Sequence, residues 1–291
     1  IDLIIPTLSQ GLLWSLLALG VYITFRVLDF ADMTVEGSFP LGAAICVYFL
    51  IRDHHPLLAL LAAGLLGGVA GIVTGLLHTK LRIPSLLAGI LSMIALYSVN
   101  LRIMGKANVS LLGKETAFTY METLGLDYAQ SVFIVGLLAT VVIGTLIYWF
   151  FGTEIGAAIR ATGFNPQMIR AQGIDTNVML LLGLFLSNAL TAMAGAFIGM
   201  NNGFFDVGMG VGTIVIGLAS VIIGEVLFGT RSFKNSLVSV ILGSIVYRFV
   251  IAIVLQMGMP PNDLKLFTSV LVVIALALPM MRDKVQRRKV G

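Results

Sequence analysis

About nine apolar runs, separated by short polar segments, follow one another along this chain of 291 residues. Most of them approach the ~20 residues that a helix needs to cross the hydrocarbon core of a bilayer. Since so many apolar runs cannot all be kept from water in a domain of this size, lipid is the environment that suits them. The runs lie at about Leu8–Leu28, Pro40–Ile51, Leu57–His78, Ser85–Ile103, Ser131–Phe151, Val178–Met200, Gly212–Phe228, Ser236–Met257 and Leu264–Met281.

The composition favours membrane helices over other classes of protein. The chain is 58% hydrophobic and 11% charged, with a mean hydropathy of +1.02, whereas soluble domains are ~45–50% apolar. The runs are continuous rather than alternating, which favours helices over a transmembrane β-barrel. The 32 glycines allow close helix packing. We therefore predict an all-α, polytopic transmembrane helical bundle of about nine membrane segments, some of them broken or short, in a single domain over residues 1–291.

Two of the runs, Pro40–Ile51 and Gly212–Phe228, are short for a full membrane crossing. Each follows a stretch that contains an acid and glycine, Arg26–Phe39 before the first run and Asn201–Gly212 before the second. The two arrangements are similar and indicate an internal repeat. Transporters often build their pathway from two such broken elements in corresponding halves of the fold, so we expect half-spanning helices here.

Three acids, Asp29, Asp32 and Glu36, lie between the first two runs. Acids close to lipid are costly unless they face a cavity, water or a partner. Thr34 and Glu36 would cap a half-helix that begins near Ser38 and Pro40, with the positive end of its dipole toward an anionic group. Alternatively, the acids lie in an ordinary loop and Arg26 pairs with Asp29.

Other polar residues within the runs are further pathway candidates. Glu225 stands alone in an apolar run and has Arg248 as a possible partner, either in a structural bond or in a proton relay. The remaining candidates line a path or only hydrogen-bond between helices. The full set of pathway and gating candidates is Asp32, Thr34, Glu36, Ser38, Ser92, Tyr97, Asn100, Asn188, Asp206 and Glu225.

The polar segment Gly152–Asn177 contains its own helix start and stop signals. Glu154–Ala161 predicts a short helix that ends around Thr162–Gly163. A second short helix follows, because Asn165 can cap it, Pro166 suits its first position and Gly173 permits a left-handed stop. A disordered linker has no need of such signals, so the segment predicts a docking surface. Its candidate residues are Arg160, Gly163, Asn165, Pro166, Arg170 and Gly173.

Two segments carry predictions about packing. Gly64, Gly67, Gly68, Gly71 and Gly75 form a small-residue strip, which favours tight packing within the bundle over a dimer seam. The longest outer segment, Met104–Gln130, forms either a short helix over the mouth or an ordinary loop.

Several chemistries lack their motifs. The sequence has no phosphate-binding G-x-x-x-x-G-K-S/T loop, no Ser-His-Asp pattern and no H-E-x-x-H motif. His54 and His55 are adjacent and point in different directions, and Cys46 is a single cysteine. We expect no ATPase activity, no metal and no cofactor in this chain. The basic tail is explained by topology and by anionic membrane lipid rather than by nucleic acid.

Basic residues orient the bundle. If Gly152–Asn177 faces the cytoplasm, alternation of the spans places twelve Lys and Arg residues inside and five outside, with Arg248 inside a span. Cytoplasmic loops carry the excess of basic residues, so we predict an N-terminus outside and a cytoplasmic C-terminus. The inner set is Arg26, Lys80, Arg82, Arg160, Arg170, Arg231, Lys234, Arg282, Lys284, Arg287, Arg288 and Lys289, and the outer set is Arg52, Arg102, Lys106, Lys114 and Lys265.

Three motifs resemble those of a known family, the membrane permeases of bacterial ABC importers of the branched-chain amino acid and ribose type. Asp32–Ser38, DMTVEGS, resembles the D-I/L-S/T-V-x-G-S stretch at the start of a pathway helix, although Glu36 is extra relative to the sugar-permease form. Lys80–Pro84, KLRIP, resembles the K-x-K/R-V/I-P that precedes another helix. Gly156–Gly173 resembles the G-x-A-I/L-R-A-x-G-x-N loop that docks onto the ATPase, and it is the most specific of the three.

The resemblance covers essentially the whole chain and implies a single permease domain with a cytoplasmic coupling-helix loop at Gly152–Asn177. It implies an importer in the bacterial cytoplasmic (inner) membrane, built from two permease copies, with a homodimer favoured. It further implies cytoplasmic ABC ATPase subunits that carry ATP and Mg, and an extracytoplasmic substrate-binding protein. The segments DMTVEGSFPLGAA and ATGFNPQMIRAQGI most resemble those of a subgroup linked to the uptake of aromatic amino acids, tryptophan or tyrosine.

Two other functions stay open from the residues themselves. In an ion-coupled secondary transporter or channel, Asp32, Glu36 and Glu225 would handle protons or cations directly, with no ATPase attached. In a membrane scaffold, the polar docking segment would suffice to bind a partner, but the two broken runs would be unexplained.

Overall fold

The computed structural model describes residues 3–258 except 124, and beyond them residues 260, 263–264, 266–274 and 277. Almost all regular structure in these ranges is helical. The helices are α1 (Ile4–Tyr22), α2 (Val35–Ile51), α3 (Pro56–Thr79), α4 (Ser85–Met104), α5 (Ala117–Glu122), α6 (Tyr128–Phe151), α7 (Glu154–Phe164), α8 (Pro166–Ala171), α9 (Thr176–Asn202), α10 (Thr213–Phe228) and α11 (Phe233–Gln256). A π-helical turn, Ile23–Val27, continues α1, and a 3-10 turn, Val207–Gly210, precedes α10. The two short strands are β1 (Asn108–Ser110) and β2 (Phe204–Asp206).

Seven helices of the described part are long and apolar enough to cross a membrane when the π-helical and 3-10 turns are counted with α1 and α10, and α2 is a shorter apolar helix of 17 residues. The prediction of a half-spanning helix at Gly212–Phe228 was wrong, because the 3-10 turn extends this helix to 22 residues. Eight of the predicted runs thus correspond to helices, and the all-α polytopic bundle is confirmed. The ninth run, Leu264–Met281, lies partly outside the described residues. Its described part over 266–274 is helical and packs beside α11, where the hydroxyls of Tyr247 and Thr268 are 3.0 Å apart.

The centre of the bundle is a tight crossing of α2, α3 and α9. Thirteen of the 17 residues of α2 are buried. A Cβ atom at Gly42 would overlap Ala192, and one at Gly195 would overlap the Phe39 carbonyl, so the backbones of α2 and α9 nearly touch. All five glycines of the α3 strip face α9 between residues 181 and 193. The strip therefore packs within the bundle, as the sequence favoured.

The connections between helices gather at two opposite ends of the bundle. At one end β1 pairs with β2 in antiparallel register, with Val109 opposite Phe205. No sequence pattern predicted these two strands. The outer segment also contains a short helix, α5, whose Phe118 is buried against Phe197 of α9. We call this the strand end. At the other end, which we call the loop end, lie the connections over 80–84, 152–175 and 229–232.

Two predicted helix boundaries are wrong. α2 begins at Val35 rather than near Ser38 and Pro40, so Pro40 lies inside the helix. Thr34 occupies the N-cap position, but its side chain makes no capping bond. α7 continues to Phe164 instead of stopping at Thr162–Gly163, because helical hydrogen bonding persists to the Asn165 N–H, which donates to the Ala161 carbonyl.

Candidate functional site

The chain leaves regular structure between α1 and α2, at residues 28–34, which we call the break. The break lies deep in the bundle, because Asp32 bonds Asn188, the thirteenth of the 27 residues of α9. At ~1.5 Å per residue, Asn188 is about 18 Å from the start of its helix. Irregular backbone at such depth is tolerated only where protein or a water-filled cavity surrounds it. Polar side chains of the neighbouring helices provide that surrounding.

Asp32 is the centre of a buried hydrogen-bond network. Its Oδ1 accepts from the Thr34 backbone N–H at 2.9 Å, and its Oδ2 accepts from the Asn188 side-chain amide at 2.8 Å. The Ser38 hydroxyl donates to Asn188 Oδ1 at 2.7 Å. Asp32, Ser38 and Asn188 are all fully buried. The carboxylate also sits just before the positive end of the α2 dipole, which favours a negative charge there.

A second chain of hydroxyls extends the network onto α3 and α4. The Thr34 and Thr74 hydroxyls are 2.7 Å apart, and Thr74 donates to the Ser92 hydroxyl at 2.7 Å. Asn100 of α4 donates to the Gly37 carbonyl of α2 at 3.1 Å. Together with Asp32, Ser38 and Asn188, these contacts bring six of the ten predicted pathway residues to one place.

Two predicted pathway residues lie elsewhere. Tyr97 is 55% exposed on the outer face of α4, away from the network. Asp206 is at the strand end, where its carboxylate accepts from the Gly208 N–H at 2.7 Å and from the Asn108 amide at 3.3 Å. Asp206 therefore shapes the turn into α10, much as Asp32 shapes the turn into α2.

Glu225 forms an ion pair with Arg26, next to the π-helical turn at the loop end of α1. The predicted pairing of Glu225 with Arg248 and the alternative pairing of Arg26 with Asp29 were therefore wrong. The ion pair joins two residues that are 199 positions apart in the sequence. Asp29 is exposed with a left-handed φ of 51°. Arg248 lies on α11, with its guanidinium carbon 3.9 Å from the centre of the Trp14 ring.

Glu36 links the starts of α2 and α10. Its Oε1 accepts from the backbone N–H of Gly212, one residue before α10, at 3.0 Å. Nearby, a Cβ atom at Gly210 would overlap the Glu36 carbonyl. Pro40 lacks the N–H that would bond this carbonyl within α2. The two elements that the sequence paired as a repeat are therefore in direct contact.

The loop end carries α7 and α8 with the predicted signals in place. The Asn165 side chain accepts from the Met168 N–H at 3.1 Å, Pro166 is the first residue of α8, and Gly173 has a φ of +83°. Arg170 also ties α8 to the start of α9, because its Nε donates to the Thr176 hydroxyl at 2.7 Å. The signals read from the sequence are thus confirmed as helix caps.

Two of the six predicted docking residues face the bundle instead of the surface. A Cβ atom at Gly163 would overlap the Val27 carbonyl, so α7 packs directly on the π-helical turn that leads into the break. The Arg160 guanidinium lies 4.9 Å from the centre of the Phe233 ring of α11. Asn165, Pro166, Arg170 and Gly173 are exposed.

Comparison with known proteins decides the family. The family model described as the permease component of the branched-chain amino acid transport system matches residues 3–277. The chain belongs to this permease family. The permease is 40% identical over 274 residues to a tyrosine transport system permease protein of Clostridioides difficile, covering 94% of this chain and 90% of that protein. It is 32% identical over 287 residues to an uncharacterized protein of Rickettsia prowazekii, covering 97% and 99%.

More distant relatives include the autoinducer 2 import system permease protein of Salmonella typhimurium, 26% identical over 75% of this chain and 61% of that protein. No solved structure is a significant match. The permease is therefore a multi-pass membrane subunit of an ABC-type transport family, a transport component rather than a catalytic one.

Sequence reasoning missed several residues of these sites in the permease. Thr74 was overlooked because a single hydroxyl in an apolar helix usually bonds its own backbone, as Thr74 also does with the Ala70 carbonyl. On α7 and α8, Phe164 is 92% exposed and Met168 is 45% exposed. The sequence did contain a signal for this surface. Phe164 is an apolar residue within a polar segment, directly before Asn165 and Pro166.

Proposed function

We propose that this permease is the membrane subunit of an ATP-driven importer of an amino acid, with an aromatic amino acid favoured. The tyrosine transport permease of C. difficile supports this substrate class by its name and by its coverage of nearly the whole chain. The proposed complex contains a second permease copy, two cytoplasmic ABC ATPase subunits that bind ATP and Mg²⁺, and an extracytoplasmic substrate-binding protein. It lies in the bacterial cytoplasmic (inner) membrane.

The observation that carries the ATPase partnership is the exposed apolar surface at the loop end. Phe164, Met168 and Ile155 project from α7 and α8, and the capped ends of α8 hold this surface in one shape. Exposed apolar side chains rimmed by polar residues mark an interaction site. An aromatic residue that fills a pocket on the partner is the kind of contact that dominates binding energy.

A packed route leads from this surface to the break. α7 contacts the Val27 carbonyl through Gly163, and Leu28 contacts Gly183 of α9. Asp32 lies four residues beyond Leu28. A movement of α7 as a rigid body would therefore displace the end of α1 and the polar network together. ATP binding by the partner supplies the difference in free energy between two states that such a movement requires.

The helices α2 and α10 form the moving part of the proposed pathway. α2 runs from the bundle centre toward the strand end, α10 runs from Gly212 toward the loop end, and Glu36 joins their starts. Helix N-termini at the midplane are the elements with which transporters handle charged groups. Alternating access would separate or rotate these two starts, and substrate would pass between them.

The network itself is a poor recognition site for substrate in this conformation. Both carboxylate oxygens of Asp32 and both polar groups of the Asn188 amide already have partners. We therefore assign the network to stabilising the break between α1 and α2, and we assign selectivity to the external binding protein.

The proposed orientation places the loop end in the cytoplasm. Exposed basic residues at the loop end include Arg26, Lys80, Arg82, Arg170, Arg231 and Lys234, against Arg52, Arg102 and Lys106 at the strand end. Cytoplasmic loops carry more Lys and Arg. The N-terminus is then outside, and the strand end faces the external binding protein.

Asp32 favours a second candidate, an ion-coupled transporter. A buried intramembrane acid is by default a functional site, and the two ion pairs of the described residues, Arg26–Glu225 and Lys114–Asp53, do not include Asp32. In this alternative Asp32 binds a proton or a cation during transport.

Reconstitution into liposomes separates the two functions. The permease alone, given a proton or sodium gradient, is expected to show no tyrosine flux, whereas the permease with its ATPase and binding protein is expected to transport tyrosine when ATP is supplied. Leucine and ribose serve as competing substrates. Gradient-driven flux by the permease alone would overturn the importer and support the ion-coupled alternative.

A further inference from the structure

Arg248 is a half-buried cation that forms no ion pair with an acid of the described residues. It lies in the second half of α11, and its guanidinium stacks 3.9 Å from the centre of the Trp14 ring. Its Nε and Nη2 are buried and have no hydrogen-bond partner among the described residues. An aromatic face compensates only part of the cost of a charge held within the membrane. These two donors are therefore available to bind an anion.

The guanidinium lines a cleft between the start of α1 and the end of α11. The cleft has a volume of about 230 Å³ and is lined by Pro6, Thr7, Gln10, Arg248, Ile251, Ala252 and Leu255. On the deeper side it is closed by the contact between the two helices, where Ser244 donates to the Gly11 carbonyl at 3.0 Å. All lining residues lie between this contact and the strand end. The cleft is therefore a wedge that narrows toward the bundle centre.

The surroundings of the cleft match the outer surface of a membrane protein. Ile4 is 53% exposed and Ile253 is 52% exposed beside the wedge, and both lie on helices long and apolar enough to cross a membrane. A molecule that enters from this side has apolar chains for these residues and an anionic group for Arg248. Anionic phospholipids combine the two, and guanidinium binds phosphate through two parallel hydrogen bonds.

We propose that this cleft binds the phosphate group of an anionic phospholipid from the half of the bilayer nearer to the strand end. Arg248 forms the ion pair, and the Gln10 amide lines the same cleft as a further donor. The acyl chains lie along the exposed sides of α1 and α11. Trp14 also stacks on Phe39 of α2, with ring centres 5.6 Å apart, so the bound lipid is one side chain away from the helix that carries the polar network.

The test compares lipid retention by the intact permease and by variants. The protein is purified from nanodiscs that contain equal amounts of phosphatidylglycerol and phosphatidylcholine, and the retained lipids are counted by native mass spectrometry. We expect preferential retention of phosphatidylglycerol, reduced about tenfold in Arg248→Gln because a charge-assisted hydrogen bond is lost. Arg102→Gln, at an exposed arginine of α4 near the strand end, is the matched control and is expected to retain phosphatidylglycerol.

A second variant keeps the test decisive if Arg248→Gln folds poorly. Ala252→Phe fills the cleft and leaves the arginine in place, and it is expected to lower phosphatidylglycerol retention as well. Equal retention of the two lipids by the intact protein, or unchanged retention in Ala252→Phe, would overturn the proposal. Displacement of phosphatidylglycerol by inorganic phosphate would show a site for a soluble anion instead. A switch from dimer to monomer in Arg248→Gln, without lipid selectivity in the intact protein, would assign the arginine to a second permease copy.

Discussion

The carboxylate of Glu36 accepts a hydrogen bond from the backbone N–H of Gly212 at 3.0 Å, across 176 positions of sequence. Glu36 lies in the first turn of α2, and Gly212 is the residue before α10. A carboxylate at the starts of two helices is stabilised by both helix dipoles. This contact therefore joins the starts of α2 and α10, the two helices that we propose to move during transport.

Replacing Glu36 with Leu is expected to lower the free energy of unfolding by about 1.5–3 kcal/mol, because a hydrogen bond to a charged group is lost. Tyrosine uptake by cells that carry the full transport complex is expected to fall with it. Glu36→Gln keeps an acceptor oxygen and should lie between the two. The measurements are thermal unfolding of the purified permease and initial uptake rates. Identical behaviour of the Leu and Gln variants would contradict the assigned contact.

Replacing Asn188 with Leu leaves Asp32 without its side-chain donor and Ser38 without its acceptor. Breaking a buried network around an acid costs about 2–4 kcal/mol. Asn177→Leu is the control, since Asn177 is exposed at the start of the same helix. Denaturation in a detergent series measures both variants. If the two variants unfold alike, the network does not stabilise the break.

Gly163 and Gly173 are expected to respond differently to substitution. Gly163→Val places a side chain against the Val27 carbonyl and should displace α7, with loss of ATP-dependent uptake. Gly173→Ala meets no atom within 4 Å, and only its φ of +83° is unfavourable, so it should cost about 1 kcal/mol and keep most uptake. Uptake rates normalised to the amount of permease in the membrane check this order. Equal loss at both positions would argue against the packing route from α7 to the break.

The Arg26–Glu225 ion pair should contribute little to stability, because half of the Arg26 side chain is exposed. Solvent screening limits such pairs to about 0.2–1 kcal/mol. A double-mutant cycle with Arg26→Gln and Glu225→Gln measures the coupling. The exchanged pair Arg26→Glu with Glu225→Arg should restore whatever uptake the single variants lose. Failure of the exchange would show that one residue has a further role in transport.

Sequence patterns located most of the bundle because apolar length and helix caps are local signals. The ends of α3, α4 and α8 lie within about two residues of their predicted positions. α2 was predicted too short because Pro40 is typical of a first helical turn. In the fold, Pro40 lies inside the helix, and the Glu36 carbonyl that it leaves without a helical hydrogen bond lies against Gly210. Local signals can identify Asn165 as a cap, since its side-chain oxygen and the Met168 N–H that donates to it are three residues apart.

Contacts between distant segments could not be predicted in the same way. The spacing of residues along one sequence carries no information on which helices touch, so the partners of Arg26 and Glu225 were wrong. The strand pairing of Val109 with Phe205 involves only three residues a side, too few for a periodic pattern. The gathering of Asp32, Ser38 and Asn188 was predicted only as a set of pathway residues, and their roles stay a prediction.

Retention of the ATPase by Phe164→Ser tests the proposed coupling surface most directly. The tagged permease is isolated in mild detergent from its native membranes, and the bound ATPase is quantified by mass spectrometry and by ATP hydrolysis. Leu112→Ser is the matched control, since Leu112 is equally exposed, at 92%, at the strand end. We predict that Phe164→Ser loses the ATPase and uptake while Leu112→Ser keeps both. Stoichiometric ATPase on Phe164→Ser, with normal uptake, would contradict the coupling surface.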